Sequence, residues 1–349
     1  MSITTKIFGV DQMGRVALLY TMENANGAKV SVLDYGANIV SIQMPNKKGE
    51  LVEMGLGFDT LAPYEAKKAC ISSTIGRYAN RIDKAKFSIN GTEYSLFPNE
   101  NGNCLHGGRE GYEWKLFNAQ MMQGEGEDAV TMTYMSKDME EGFPGNLHVQ
   151  VTFSLDDNNA LSLRYMAQSD KDTVINLTNH AYFNLAGKGD ILDHTLVIDA
   201  DTITQTREDL IPTGAFTPVA NTPYDFRGGM KVGEGLQQAG DYPALEANGY
   251  DVNFCLNGEG LRKAATLSHA ESGVQMHVIT DQPGVQLYSG KGLDVEGHNG
   301  TYYGPFYGLA LETQHYADSP NHPHFPTTFL KAGDVFTSTT IYQFAISEE

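Results

Sequence analysis

The stretch Ala160-Leu161-Ser162-Leu163-Arg164-Tyr165 alternates apolar and polar side chains one for one. A period of two sends successive side chains to opposite faces of an extended strand, so one face meets a core and the other meets solvent or a cleft. Lys29-Val30-Ser31-Val32-Leu33, Thr195-Leu196-Val197-Ile198 and Gly273-Val274-Gln275-Met276-His277-Val278 repeat the pattern. Turn formers stand between such runs: Asn90-Gly91, Asp156-Asp157-Asn158-Asn159, Asn257-Gly258 and Asp281-Gln282-Pro283-Gly284. Helical periodicity is scarce, with short candidates around Leu61 to Ala69 and Lys231 to Gln238. The alternation of strands and helices that builds a parallel nucleotide-binding sheet is therefore not expected. Many short strands predict an all-β fold of two large packed sheets, a large antiparallel β-sandwich.

The 349 residues exceed the roughly 150 of a common domain, yet no linker, low-complexity tract or internal repeat interrupts them. One continuous domain over 1–349 is expected. Lys and Arg number 24 against 43 Asp and Glu, a net charge of −19, which repels a phosphate backbone or an anionic membrane. Neither nucleic acid nor membrane is expected as a partner. The three cysteines, Cys70, Cys104 and Cys255, are far apart and show no CxxC spacing, so a disulfide framework and a cysteine zinc site are not indicated. With no signal-like segment at the N-terminus, the expected location is cytoplasmic. Exposed and interface strand faces look alike in sequence, so monomer and homodimer stay equally open.

Phosphate-loop, dinucleotide-loop, GxSxG and HExxH signatures are absent from the sequence. His315, His322 and His324 could ligate a metal, but the three prolines of this loop weigh against it. What remains is general acid and base chemistry or simple binding, and five polar segments are candidates. Arg77, Asn80 and Arg81 in GRYANRI at 76–82 offer the directional donors a polyhydroxylated ligand needs, or else a solvated turn. His106 precedes two glycines that let backbone approach a ligand closely. His180 lies among amides in an apolar run, as a bonded core residue or a titrating group in a cleft. Asp251 follows a turn at Asn248-Gly249-Tyr250. In Gly308-Leu309-Ala310-Leu311-Glu312-Thr313-Gln314, Leu309 and Leu311 share one strand face. Glu312 shares the other with Ala310 and Gln314, a face expected to meet solvent or an open cleft.

In this order the segments resemble the aldose 1-epimerase family, the galactose mutarotases. The resemblance runs from about Tyr35 to near the C-terminus through GRYANRI at 76–82, NCLHGG at 103–108, GFPGNL at 142–147, TNHAYFNL at 178–185, DFR at 225–227, GYD at 249–251, PGVQLYSG at 283–290 and LALETQHYADSPNHPHFP at 309–326. It implies a mutarotase-like β-sandwich whose groove binds a free aldohexose, galactose or glucose, and interconverts its α and β anomers without cofactor or metal. By matching positions it implies Glu312 as general base and His180 as general acid. Asn80, Arg81, His106, Asp251 and Gln286 would hold the sugar hydroxyls and ring oxygen, with Tyr182 beside them. Such chemistry removes the C1 hydroxyl proton and protonates the ring oxygen, so the ring opens, the aldehyde turns over and the ring recloses. The charges of Asp251, Glu312 and the chain as a whole are expected to favour the His180 imidazolium.

Two departures from the family pattern, Val252 and Leu287, are expected to bear on sugar preference. The rivals are a hexose-6-phosphate 1-epimerase, a glycoside hydrolase using Asp251 and Glu312, and a non-catalytic carbohydrate-binding sandwich. A phosphate dianion would need more positive charge than Arg77 and Arg81 supply.

Overall fold

The alternating segments form strands in the computed structural model, which describes residues 2–66, 68–124 and 127–347. The Ala160–Ser169 strand pairs with Leu147–Asp156 across the turn at 156–159, and Lys29–Leu33 and Thr195–Ile198 keep the bounds their patterns give them. At Asn90-Gly91 both residues have positive φ, 51° and 82°, the twist that closes the tight hairpin between Lys86–Ile89 and Thr92–Ser95.

Three larger sheets carry the architecture. A nine-stranded antiparallel sheet places Val335–Ile346 between Ala160–Ser169 and Val274–Thr280, near its middle. A six-stranded sheet runs in the order Tyr182–Phe183, Leu309–Gln314, Gly284–Tyr288, Asp251–Leu256, Ala200–Thr206, Pro212–Pro218. A five-stranded sheet spans the N-terminal segment from Ser2 to Glu53. The principal core lies where the first two sheets face each other. Phe153, Leu163 and Tyr342 belong to the same buried cluster as Phe254, Leu287, Leu309 and Leu311. The Tyr342 hydroxyl donates to the Leu311 carbonyl, and Thr313 bonds Thr340 through their hydroxyls.

Helices are short, as the sequence suggests, but their bounds differ. The first window holds an α-helix at Ala62–Glu65 and a 3-10 turn at Lys68–Cys70, and Lys67 within it lies outside the described residues. The second holds Val232–Gln237, and a further helix, Pro243–Asn248, was not anticipated. At six residues it shows barely two turns of period, and Pro243 at its first position is the signal that was available. No helix among the described residues is long and apolar enough to cross a membrane.

Every residue of Leu309–Gln314 is buried. Its leucines lock onto the nine-stranded sheet and thereby direct Ala310, Glu312 and Gln314 to the opposite face. Replacing Leu311 by Ala leaves a cavity between the sheets and should cost about 2–5 kcal/mol of unfolding free energy. Urea titration read by tryptophan or far-UV signal checks this, and a loss below about 1 kcal/mol would show that the seam does not hold the strand.

Candidate active site

Glu312 sits on a strand whose neighbour places Gln286 directly opposite it, and Gln286 in turn stands opposite Asn253. One step along the same face, Asp251 pairs with Tyr288 and Tyr288 with Ala310, which itself faces Tyr182 on the last strand. The register of four strands therefore fixes Glu312, Gln286, Asp251 and Tyr288 on one surface, since cross-strand partners point the same way. The Gln286 amide donates to Asp251 Oδ1 at 2.6 Å.

His180 enters from the segment between Thr178–Asn179 and Tyr182–Phe183. Its backbone N–H donates to the Ser73 carbonyl and its carbonyl accepts from the Ser72 N–H, each at 2.9 Å, so the main chain is held on both sides. The imidazole Nε2 lies 3.6 Å from Glu312 Oε1, close but beyond hydrogen-bond length. The Tyr182 ring packs against the imidazole with centroids 4.9 Å apart, and its hydroxyl is committed to the Ala69 carbonyl at 3.2 Å. Tyr182 thus supports the histidine as a wall.

Asn80 and His106 are held by a local exchange. Asn80 adopts a left-handed φ of 62° and accepts the Arg81 N–H on its own side-chain oxygen, while its carbonyl accepts the His106 N–H. Its N–H donates to His106 Nδ1 at 3.2 Å, which leaves the ring hydrogen of neutral His106 on Nε2 as a donor. Gly107 makes this approach possible: at φ 85°, a Cβ there would lie 2.1 Å from the Gly76 carbonyl oxygen. Arg81 is almost fully buried, with Nη1 4.0 Å from Asp251 Oδ2.

The structure thus gathers all eight residues singled out by the resemblance. It corrects several other expectations. Glu312 is only 2 % exposed, because the segments bearing His180 and Arg81 cover a strand face that was expected to be open. Arg77 does not join Arg81: its guanidinium is buried and donates to the Pro144 carbonyl at 2.7 Å and to Ser136 Oγ at 2.7 Å, tying loops together. Val252 and Leu287 alternate with Asp251, Gln286 and Tyr288, so both point into the core between the sheets and away from the sugar-facing side. Of the loop histidines, His315 bonds Gln282, His322 faces Asp318 and His324 bonds the Gly214 carbonyl.

Among the described residues, the histidine and carboxylate donors that cluster are those of His106, His180 and Glu312, all within 4.8 Å of one another. The three could surround a cation, but His106 uses Nδ1 to accept from Asn80, and ligation through Nε2 would strip its remaining hydrogen. That donor suits a hydroxyl oxygen better than a metal ion.

The electrostatic expectation for His180 is overturned. Burial pulls its pKa down to about 4, opposed by a hydrogen bond to its own backbone. Burial likewise pushes Glu312 well above the usual carboxylate range, the Asp251 charge adds to this, and Arg81 opposes it. Desolvation outweighs attraction because both groups are cut off from water.

Two further residues complete the site and escaped the sequence reading. Tyr288 sets its ring 6.2 Å from His180 and 6.0 Å from Tyr182, and the signal was its place two residues from Gln286 on one strand face. Glu100 grips Arg81 with two hydrogen bonds of 2.7 and 2.8 Å. Its signal was the neighbouring Asn101-Gly102, the dipeptide of a tight hairpin turn.

The chain matches the aldose 1-epimerase family model over residues 18–343. It is 37% identical to a galactose mutarotase of Bos taurus over 99% of this chain and 100% of that one. An aldose 1-epimerase of Escherichia coli (strain K12) is 36% identical over 95% and 96% of the two chains. Among solved structures, a galactose 1-epimerase from Lactobacillus acidophilus NCFM superposes with a TM-score of 0.89 at 26% identity, covering 99% of each chain. A GalM/aldose epimerase homologue from C. elegans gives 0.87 at 29% identity, covering 94% of this chain and 98% of that one.

In the unliganded protein, the direction of these shifts predicts an imidazole at His180 that stays neutral from pH 8 down to pH 5 and gains its proton only near pH 4. Nitrogen chemical shifts of the histidine rings, assigned by comparison with His180→Asn, measure this directly. A midpoint near 6.5 would mean that burial does not govern this ring.

Proposed function

The chain belongs to the aldose 1-epimerase family, and on that premise we propose that Glu312 and His180 together open and reclose the ring of a free aldohexose. The protein is an aldose 1-epimerase, a sugar isomerase acting on a small-molecule aldose. The observation that carries the assignment of roles is the 3.6 Å separation of His180 Nε2 and Glu312 Oε1. In a cyclic hemiacetal the hydroxyl and ring oxygens are bonded to the same carbon, so the base serving one and the acid serving the other must stand close together.

The Glu312 carboxylate takes the C1 hydroxyl proton while the His180 imidazolium gives its proton to the ring oxygen, and the C1–O5 bond breaks. The open aldehyde turns about C1–C2. Reclosure returns the proton from Glu312 to the oxygen on C1 and the ring-oxygen proton to His180. The pair holds one proton throughout and only its location changes. Burial favours the arrangement in which Glu312 carries it, which is the arrangement reached on ring opening. A raised Glu312 makes a strong base and a lowered His180 a strong acid, so both transfers run in the direction opening needs. The side chains of Asn80, Arg81, His106, Asp251 and Gln286 hold the hydroxyls, and this orientation contributes by removing the search for geometry.

The same reading takes residues 1–349 as one catalytic unit, working in the cytoplasm as a monomer or homodimer. Hexose 6-phosphates are poorer candidates than neutral hexoses, because Arg77 is committed to backbone carbonyls and Arg81 already holds a carboxylate.

Polarimetry of freshly dissolved α-D-galactose and α-D-glucose tests the activity, with Glu312→Gln as the control. The variant should lose on the order of 10²- to 10⁴-fold in kcat while still binding sugar. An unchanged rate in Glu312→Gln would remove Glu312 from the chemistry.

The pH profile provides a second test. Activity requires one proton on the pair: below the His180 value both groups are protonated, and above the Glu312 value neither is. The profile of kcat/KM should therefore fall on the acid side near pH 4 and fall again at the higher pH where the raised Glu312 gives up its proton. An acid limb centred at 6.5 would contradict the lowering of His180 by burial.

A further inference from the structure

Arg81 is the one cation held among Asn80, His106, Asp251 and Glu312 on the described site surface, and a buried guanidinium has a characteristic ligand preference. Its Nε and Nη2 edge presents two parallel N–H groups that match a carboxylate or phosphate, which makes an exposed arginine fork an anion trap. In this protein that edge is already filled. Glu100 Oε2 accepts from Nε at 2.7 Å and Oε1 accepts from Nη2 at 2.8 Å, leaving Nη1 as the nitrogen turned toward Asp251, 4.0 Å away.

The local sequence explains how Glu100 is aimed. Asn101 and Gly102 take positive φ of 49° and 84°, a tight turn closed by two backbone hydrogen bonds between Glu100 and Asn103. The Asn99 side chain clamps the base of this loop, donating to the Leu105 and Gly108 carbonyls and accepting from the Leu105 N–H. Glu100 therefore projects from a braced hairpin that continues directly into Cys104–Leu105, the strand paired with Arg81–Ile82. Its side chain is 27 % exposed against 9 % for Arg81, so it caps the guanidinium from the solvent side.

We propose that Glu100 is a positioning and specificity-determining residue, which fills the anion-binding edge of Arg81 so that the site presents a single arginine nitrogen to neutral aldoses and rejects anionic ones. This rests on the reading of the site as an aldose 1-epimerase site. A sugar carrying a carboxylate or phosphate would have to displace a braced internal carboxylate, and it would meet the charges of Glu100 and Asp251 against one cation. A neutral hexose faces neither obstacle.

The test compares D-galactose with D-galacturonate, which differ at C6 by a negative charge, through the ratio of their kcat/KM values in polarimetric or NMR anomer exchange. The wild-type rate on galactose tests the underlying function separately. In Glu100→Gln, which keeps size and removes charge, the galactose-to-galacturonate ratio should narrow roughly tenfold, with the galactose loss falling mainly on KM. Glu100→Asp, which keeps the charge, should restore the wild-type ratio even if its overall activity stays low. Should Glu100→Gln fail to fold, Asn99→Ala loosens the turn without touching the ion pair and should narrow the ratio severalfold. A ratio unchanged within twofold in a folded charge-removing or turn-loosening variant would overturn the proposal, whatever the fall in absolute rate.

Discussion

The seating of Leu309 and Leu311 against the nine-stranded sheet is the contact on which the site depends. An extended strand has only two faces, and once the leucines and Thr313 occupy one of them, Glu312 has no choice but the other. Each buried leucine contributes about 1.5–3 kcal/mol through removal from water. That gain helps hold a carboxyl group, with Oε2 left without a protein partner, where water would not leave it by preference. The register then does the rest, since Gln286, Asn253, Tyr288 and Asp251 inherit their directions from their pairing with this strand.

Burial sets the chemistry as well as the geometry. The same exclusion of water that raises Glu312 lowers His180, and the two shifts are complementary because one group is charged when it has lost a proton and the other when it has gained one. A pair of this kind is poised to exchange a proton with something placed between its members. Asp251 and Arg81 act on it with opposite sign, and Glu100 tempers the second of these. The site is thus a balance of charges spread over five separate stretches of chain.

Much of this was legible in the sequence. Strict alternation at Ala160–Tyr165 and its counterparts announced strands, and turn dipeptides announced their ends, because both rest on local sterics that need no partner. The face of Glu312 was also readable from its neighbours. Its burial was not, since that depends on segments more than a hundred residues distant closing over it. For the same reason Arg77 and Arg81, four residues apart and alike in type, could not be told apart: one is turned to Ser136 and Pro144 and the other to Glu100. His180 was misjudged because its charged neighbours are visible in a list of residues, whereas desolvation is a property of the assembled site.

The position of Val335–Ile346 between Ala160–Ser169 and Val274–Thr280 has a consequence for how the molecule comes into being. The sheet that seats Leu311 cannot be completed until a segment that follows both of its neighbours in the chain has been inserted between them, and the contacts it makes join residues far apart in sequence. Pairings of such long span make for slow assembly. During synthesis, the facing edges of Ala160–Ser169 and Val274–Thr280 must wait, unpaired, for a strand that follows both of them in the chain. Catalytic competence then waits on that insertion, so the appearance of activity would time the closing of the central sheet.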